Sequence, residues 1–194
     1  MKKQHDISAC VYGALRTYFD DLDGEKPASV YDMVLKSVER PMLEALRELI
    51  LPQTTVITPN TMEARRLAAR GHDDHEELDM SACAQRILAT GCKYVLITGS
   101  HANTPQVVNT LYGSRGVLRA DAWERLQGSY HGSGCTLASA LAGALAHGLD
   151  VSQAVFEAEG FTWQSLVAAF RPGMGQYIPD RFFWVRPADD DSEN

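Results

Sequence analysis

Hydrophobic and polar positions follow two different periods along this chain, and the switches between them mark its elements. Between Ile7 and Phe19 the apolar residues Val11, Ala14, Leu15, Tyr18 and Phe19 recur at helical spacing, and the polar, acidic stretch from Asp20 to Pro27 reads as a loop. Val30 to Leu35 reads as a short β-branched strand. Pro41 to Ile50 follows as an amphipathic helix with Pro41 in its first turn, ended by Pro52. Thr54 to Thr58 has the character of a buried strand that stops at Pro59. Thr61 to Arg70 predicts a helix closed by Gly71, and Ser81 to Thr90 another closed by Gly91. Tyr94 to Thr98 is the next apolar strand, and Val107 to Tyr112 with Gly116 to Ala120 forms a hairpin turning at Gly113 to Arg115. Two helices complete the pattern: Ser133 to His147, closed by Gly148, and Val151 to Phe170, with Ser152 as a candidate cap.

Strands alternating with helices of about ten residues are the signature of a parallel sheet covered on both faces, so the expected class is α/β, with the hairpin adding an antiparallel part. With 194 residues, 45% of them hydrophobic, one domain with one core is expected. Residues 1–29 carry no recognisable motif, and the acidic tail, residues 188–194, reads as disordered.

Charge and cysteine content narrow the function classes. A net charge of -7 argues against nucleic acid or an anionic membrane as partner, since either needs clustered Lys and Arg. The four cysteines, Cys10, Cys83, Cys92 and Cys135, contain no CxxC pair, which argues against disulfides and structural zinc. The basic Met1 to Lys3 leads into polar residues, and no stretch reaches the ~18 apolar residues of a membrane span. The expectation is a cytoplasmic protein.

Candidate chemistry falls at three places where strands hand over to helices, where open α/β sheets bind ligands. After Thr58, Asn60 and Glu63 can meet across one helical turn, either as a capping box or as oxygen ligands that hold Mg2+ through water. After Ile97, the small residues Thr98-Gly99-Ser100-His101 form either an ordinary turn or one over which a nucleotide lies. The third is Gly132-Ser133-Gly134-Cys135, a glycine turn opening onto a helix. It is either a serine-capped turn or an anion site, since unpaired N–H groups and the helix dipole favour negative charge and lower the pKa of a thiol. No GxxxxGK[ST] and no early GxGxxG is present, which excludes a P-loop and leaves a dinucleotide fold unsupported. His72 and His75 lie in an acidic stretch read as a solvated loop. Phe182, Phe183, Trp184 and Trp163 read as packing residues.

In this order the three features resemble the ribokinase-like superfamily, and more closely its hydroxymethylpyrimidine/phosphomethylpyrimidine kinases of thiamine biosynthesis. Thr58-Pro-Asn-Thr-Met-Glu63 is similar to that family's Mg2+ and phosphate motif, and Leu96-Ile-Thr-Gly-Ser-His101 to its nucleotide turn. His131-Gly-Ser-Gly-Cys-Thr136 is similar to its anion hole, with cysteine where most of the superfamily has aspartate. Val30-Tyr-Asp32-Met-Val-Leu35 resembles a strand ending in Asp-Pro-Val, with Met33 in place of proline, and Gly173-Met-Gly175 resembles a late glycine pair.

The resemblance implies a three-layer α/β/α kinase domain over residues 30–187, lacking the N-terminal part that builds the family's pyrimidine pocket. A sheet shortened in that way exposes an apolar edge, so a homo-oligomer is expected. The implied reaction is transfer of the ATP γ-phosphoryl to an aminopyrimidine and its monophosphate, with Mg2+ as cofactor. Cys135 would be the base, or a spectator that keeps the turn small. Gly132, Ser133 and Gly134 would hold the phosphoryl group, Thr98, Gly99, His101 and Gly173 the nucleotide, and Glu63, Asn60 and Asp32 the metal. Two alternatives stay open: an inactive nucleotide-binding or scaffold remnant, and a pyridoxal-type kinase of the same superfamily.

Overall fold

A computed structural model describes residues 7–22, 29–69, 78–99 and 104–185. The chain divides into two compact units, Met1–Glu48 and Leu49–Asn194.

The first unit contains helix α1, Ile7–Asp21, and helix α2, Val30–Ala45. α1 follows the expected spacing but buries none of its side chains. α2 corrects the reading of Val30 to Leu35 as a strand. Val30, Met33, Val34 and Val38 fall at spacings of three, four and eight, a helical stripe that outweighs the β preference of two valines. Pro41 lies inside this helix instead of opening a new one, and it leaves one helical hydrogen bond unmade.

In the second unit a 3-10 turn, Leu51–Gln53, leads into strand β1, Val56–Ile57. Then follow α3 Thr61–Ala68, α4 Met80–Leu88, β2 Tyr94–Ile97, β3 Gln106–Gly113, β4 Gly116–Glu124, α5 Ser133–Ala146 and α6 Val151–Val167. Each falls within a few residues of its predicted place. The α6 cap is Asp150, not Ser152: the Asp150 carboxylate accepts from the backbone N–H groups of Ser152 and Gln153.

The strands run in the order β1-β2-β3-β4. β1 and β2 are parallel, with Val56 opposite Tyr94, whereas β2/β3 and the β3/β4 hairpin are antiparallel. Alternation along β2 sorts its side chains into two cores. Leu96, with Leu111 of β3, packs against Leu137 and Leu141 of α5 and Ala154, Val155 and Ala158 of α6. Val95 and Ile97 point the other way, to the face where α4 packs and buries Cys83, Ala84 and Ile87. Each fully buried Leu or Ile stabilises this α/β/α sandwich by roughly 1.5–3 kcal/mol. The four cysteines are all free, and no helix among the described residues is long and apolar enough to cross a membrane.

Candidate active site

The ends of β1 and β2 are joined beyond the sheet proper. The Thr98 N–H donates to the Pro59 carbonyl at 2.9 Å, and Asn60 and Thr98 form a parallel bridge. The two predicted strand-end turns therefore lie side by side. In the first, Asn60 Oδ1 accepts from the Glu63 N–H and Glu63 Oε2 accepts from the Asn60 N–H, both at 2.9 Å. This is a complete capping box. It leaves Glu63 Oε1 as the oxygen able to reach a metal-bound water, a donor type that suits Mg2+.

In the second turn Gly99 is required by close approach: a Cβ there would lie 2.2 Å from the Val108 carbonyl oxygen of β3. Its N–H donates to Asn109 Oδ1 at 3.1 Å, so this donor is engaged within the fold. Ser100 and His101 lie outside the described residues.

The start of α5 is built differently. Gly132 occupies the N-cap at φ +90° with no side-chain cap, and the first helical bond runs from the Thr136 N–H to the Gly132 carbonyl. The N–H groups of Ser133, Gly134 and Cys135 therefore precede the helical ladder. The turn is held from below: the His131 N–H donates to the Tyr177 carbonyl at 2.9 Å, and the Tyr130 and Tyr177 rings pack 5.6 Å apart. Arg181 reaches the same turn, donating from Nε to Thr136 Oγ1 at 3.0 Å, with its guanidinium beside Gly132. Cys135 is exposed in the first helical turn.

These elements border one cleft of about 550 Å³, a size that suits a small-molecule site. Thr58, Asn60, Glu63 and Thr98 line one wall; Ser133, Gly134 and Leu137 of α5 and Glu159, Thr162 and Leu166 of α6 line the other. Asn109 and Trp123, from the hairpin, also line it. Gly99, Gly132, Cys135 and Gly173 are not among the lining residues; Gly173 lies in an exposed turn whose Met174 and Gly175 carbonyls accept from Arg171. Asp32 belongs to α2, so the strand end on which its assignment rested is absent, and its side chain lies outside the described residues. Among the described residues no cluster of three His, Cys, Asp or Glu side chains forms a ready-made metal site.

Among the cleft residues that sequence reasoning missed are Asn109, Trp123 and Glu159. Glu159 is 3% exposed, and its Oε2 accepts from the Trp123 indole N–H at 2.7 Å. Burial pushes its carboxyl up to about 7, assisted by nearby Asp121 and opposed by Trp123, Asn109 and Arg119. The available signal was its position on α6, where it shares the face of Val155, Ala158 and Thr162 that is otherwise apolar or small. Trp163 also lines the cleft, its N–H bonded to the Glu124 carbonyl. The packing expectation for the aromatic cluster holds only for Phe183, 5.6 Å from Phe161; Phe182 and Trp184 are exposed.

Fold and cleft together define a ribokinase-like kinase. A pyridoxal kinase from Staphylococcus aureus, solved with AMP-PCP and pyridoxal, superposes with a TM-score of 0.67 at 29% identity, covering 77% of this chain and 56% of that one. Residues 27–180 match the family model described as phosphomethylpyrimidine kinase, and the chain belongs to that family. It is 33% identical over 132 residues to the hydroxymethylpyrimidine/phosphomethylpyrimidine kinase of Rhizobium meliloti, covering 68% of this chain and 49% of that protein. It is 35% identical over 138 residues to a pyridoxine kinase of Bacillus subtilis, covering 70% and 49%. The chain thus spans about half the length of the curated relatives it matches.

Proposed function

We propose that this chain carries the nucleotide-binding and phosphoryl-transfer part of a cytoplasmic, ATP-dependent hydroxymethylpyrimidine/phosphomethylpyrimidine kinase, with residues 30–187 as its kinase region. The observation that carries the reading is the uncapped start of α5 facing the Asn60–Glu63 turn across one cleft. The N–H groups of Ser133, Gly134 and Cys135 hold the transferring phosphoryl group, and the helix dipole favours the charge that develops on it. Cys135 accepts the proton of the substrate hydroxyl. Glu63, with Asn60, holds Mg2+ through water; when bound, the ion neutralises phosphate charge. The Thr98 turn borders the nucleotide. A homo-oligomer as the working form is supported by β4, the outer strand of the sheet, whose Val117 and Leu118 are exposed.

A pyridoxal-type substrate is the second reading, favoured by the pyridoxine kinase relative and the pyridoxal kinase structure. The test is phosphorylation of hydroxymethylpyrimidine and of pyridoxal by the purified chain with Mg2+ and ATP, alongside Cys135→Ala. Turnover of the pyrimidine that collapses in the variant supports the first reading, and preference for pyridoxal the second. A folded chain that binds ATP without turning over either substrate would instead be a nucleotide-binding remnant.

A further inference from the structure

The glycine turn at the start of α5 is held from behind by a residue outside the cleft. Gly132 has no Cβ and a φ of +90°, so no side chain of its own fixes the peptide that follows it. That peptide is shared: the Gly132 carbonyl and the Ser133 N–H belong to one planar trans unit and point in opposite directions. Whatever pins the oxygen therefore aims the N–H, the first of the donors assigned to the transferring phosphoryl group.

Three hydrogen bonds do the pinning. The Gly132 carbonyl accepts from the Thr136 N–H at 2.9 Å and from the Thr136 hydroxyl at 2.8 Å. A hydroxyl has a single proton, and its other partner sets where that proton goes. Here the partner is Arg181, whose Nε donates to Thr136 Oγ1 at 3.0 Å. Because a guanidinium only donates, Thr136 accepts from Arg181 and directs its own proton to Gly132. Thr136 is 2% exposed, so bulk water does not compete for this hydroxyl. The positive charge at the head of the series strengthens each bond that follows it.

Arg181 itself starts from a fixed point. Pro179 is fully buried, the Asp180 N–H donates to the Ser165 carbonyl of α6 at 2.9 Å, and Asp180 Oδ1 accepts from the Phe182 N–H at 3.0 Å. Neither Arg181 nor Thr136 lines the cleft, whereas Ser133 and Gly134 do. The guanidinium thus acts through the turn and not by touching what the cleft holds.

We propose that Arg181 is a positioning residue for phosphoryl transfer: through Thr136 and the Gly132 carbonyl it aims and polarises the Ser133 N–H toward the phosphoryl group. The assignment deepens the kinase reading and rests on it for the role of the α5 turn.

The test is calorimetry on the full chain with Mg2+, comparing ADP alone with ADP plus aluminium fluoride, a mimic of the phosphoryl group in transfer, so that no turnover is needed. The wild-type chain is expected to bind ADP more tightly with the fluoride than without it. Arg181→Ala should cut that gain by tenfold or more while leaving the affinity for ADP alone nearly unchanged, a split that a general loss of structure would not produce. Thr136→Val should have the same effect, with Thr136→Ala in its place if valine does not fold, and Thr136→Ser should recover the gain. Adding Arg181→Ala to Thr136→Val should change little further, because both break one series of bonds. A folded Arg181→Ala protein with the wild-type gain, or two losses that multiply, overturns the proposal. A wild-type chain that gains nothing from the fluoride would remove the kinase reading of the turn, and the proposal with it.

Discussion

The two walls of the cleft handle their polar groups in opposite ways. At the start of α3 the donors and acceptors answer one another within four residues, Asn60 to Glu63 and back. On the facing wall, the first N–H groups of α5 have no side-chain cap, and Glu159 is a buried carboxyl whose Oε2 accepts from the Trp123 indole N–H. The first wall is satisfied by its own residues and contributes to stability; the second keeps the uncapped N–H groups of α5 open. Substitutions on the two walls should therefore separate, one set lowering stability and the other lowering function.

The largest effect expected is from closing the open wall. Gly134→Asp places a carboxylate in the first turn of α5, where a Cβ meets nothing within 4 Å, so the fold should accept it. It competes with the incoming phosphates for the same N–H groups. Phosphoryl transfer is expected to fall by roughly 10²–10³-fold, the scale of losing one oxyanion donor, with no drop in Tm. A variant that loses stability in proportion to activity would erase the distinction between the walls.

Glu159 supplies the second test, with a stability change of opposite sign. Its carboxyl is raised from 4.5 to about 7 in the folded chain. The neutral form is therefore the one the fold favours, and its contribution is complete below about pH 4.5 and lost as pH rises through about 7. A shift of that size corresponds to ~3 kcal/mol. Glu159→Gln, neutral at every pH, should flatten this slope and make the ligand-free chain more stable than wild type above neutrality. Urea unfolding between pH 4 and 8 measures both. A wild-type chain whose stability rises with pH across that window would contradict the burial argument.

Gly132 joins the two behaviours, since its left-handed φ of +90° both turns the chain and leaves the helix uncapped. Alanine there should cost about 1–2 kcal/mol in backbone strain. The nearest atom to the new Cβ, 3.1 Å away, is the end of the flexible Arg181 side chain, which can give way. Thermal melts of Gly132→Ala would read that cost, and a neutral result would show the turn to be softer than its geometry implies.

How much of this is legible in the sequence follows from how local each feature is. The strands around Val56 and Val95, the hairpin and helices α3 to α6 all carry periods and stop signals within ten or so residues, which is enough to place them. The Asn60–Glu63 turn and the glycine turn before Cys135 are contiguous motifs, so they too can be read. Val30 to Leu35 misleads because two valines in six residues say little about period until Val38 is counted. Glu159, Trp123 and Asn109 meet only after α6 packs beside the hairpin, and no spacing along the chain brings residues 109, 123 and 159 together. Asn60 and Glu63 read equally as cap or metal site, and the geometry shows the cap to be fully formed.

That cap gives the smallest and most discriminating prediction. Asn60→Ala removes the acceptor for the Glu63 N–H and should destabilise the chain by about 1 kcal/mol, read as a lower urea midpoint at unchanged slope. Asn60→Asp keeps the acceptor and adds a negative charge at a helix N-terminus, so its stability should match or exceed that of wild type. The two variants separate the roles of the residue. If Asn60 only caps α3, activity follows stability, and the Asn60→Asp protein works as well as wild type. If Asn60 and Glu63 also organise the phosphates, the added charge repels them, and the more stable Asn60→Asp variant is the less active of the pair. An aspartate variant that is both stable and fully active would assign this wall to stability alone and leave the chemistry to the open one.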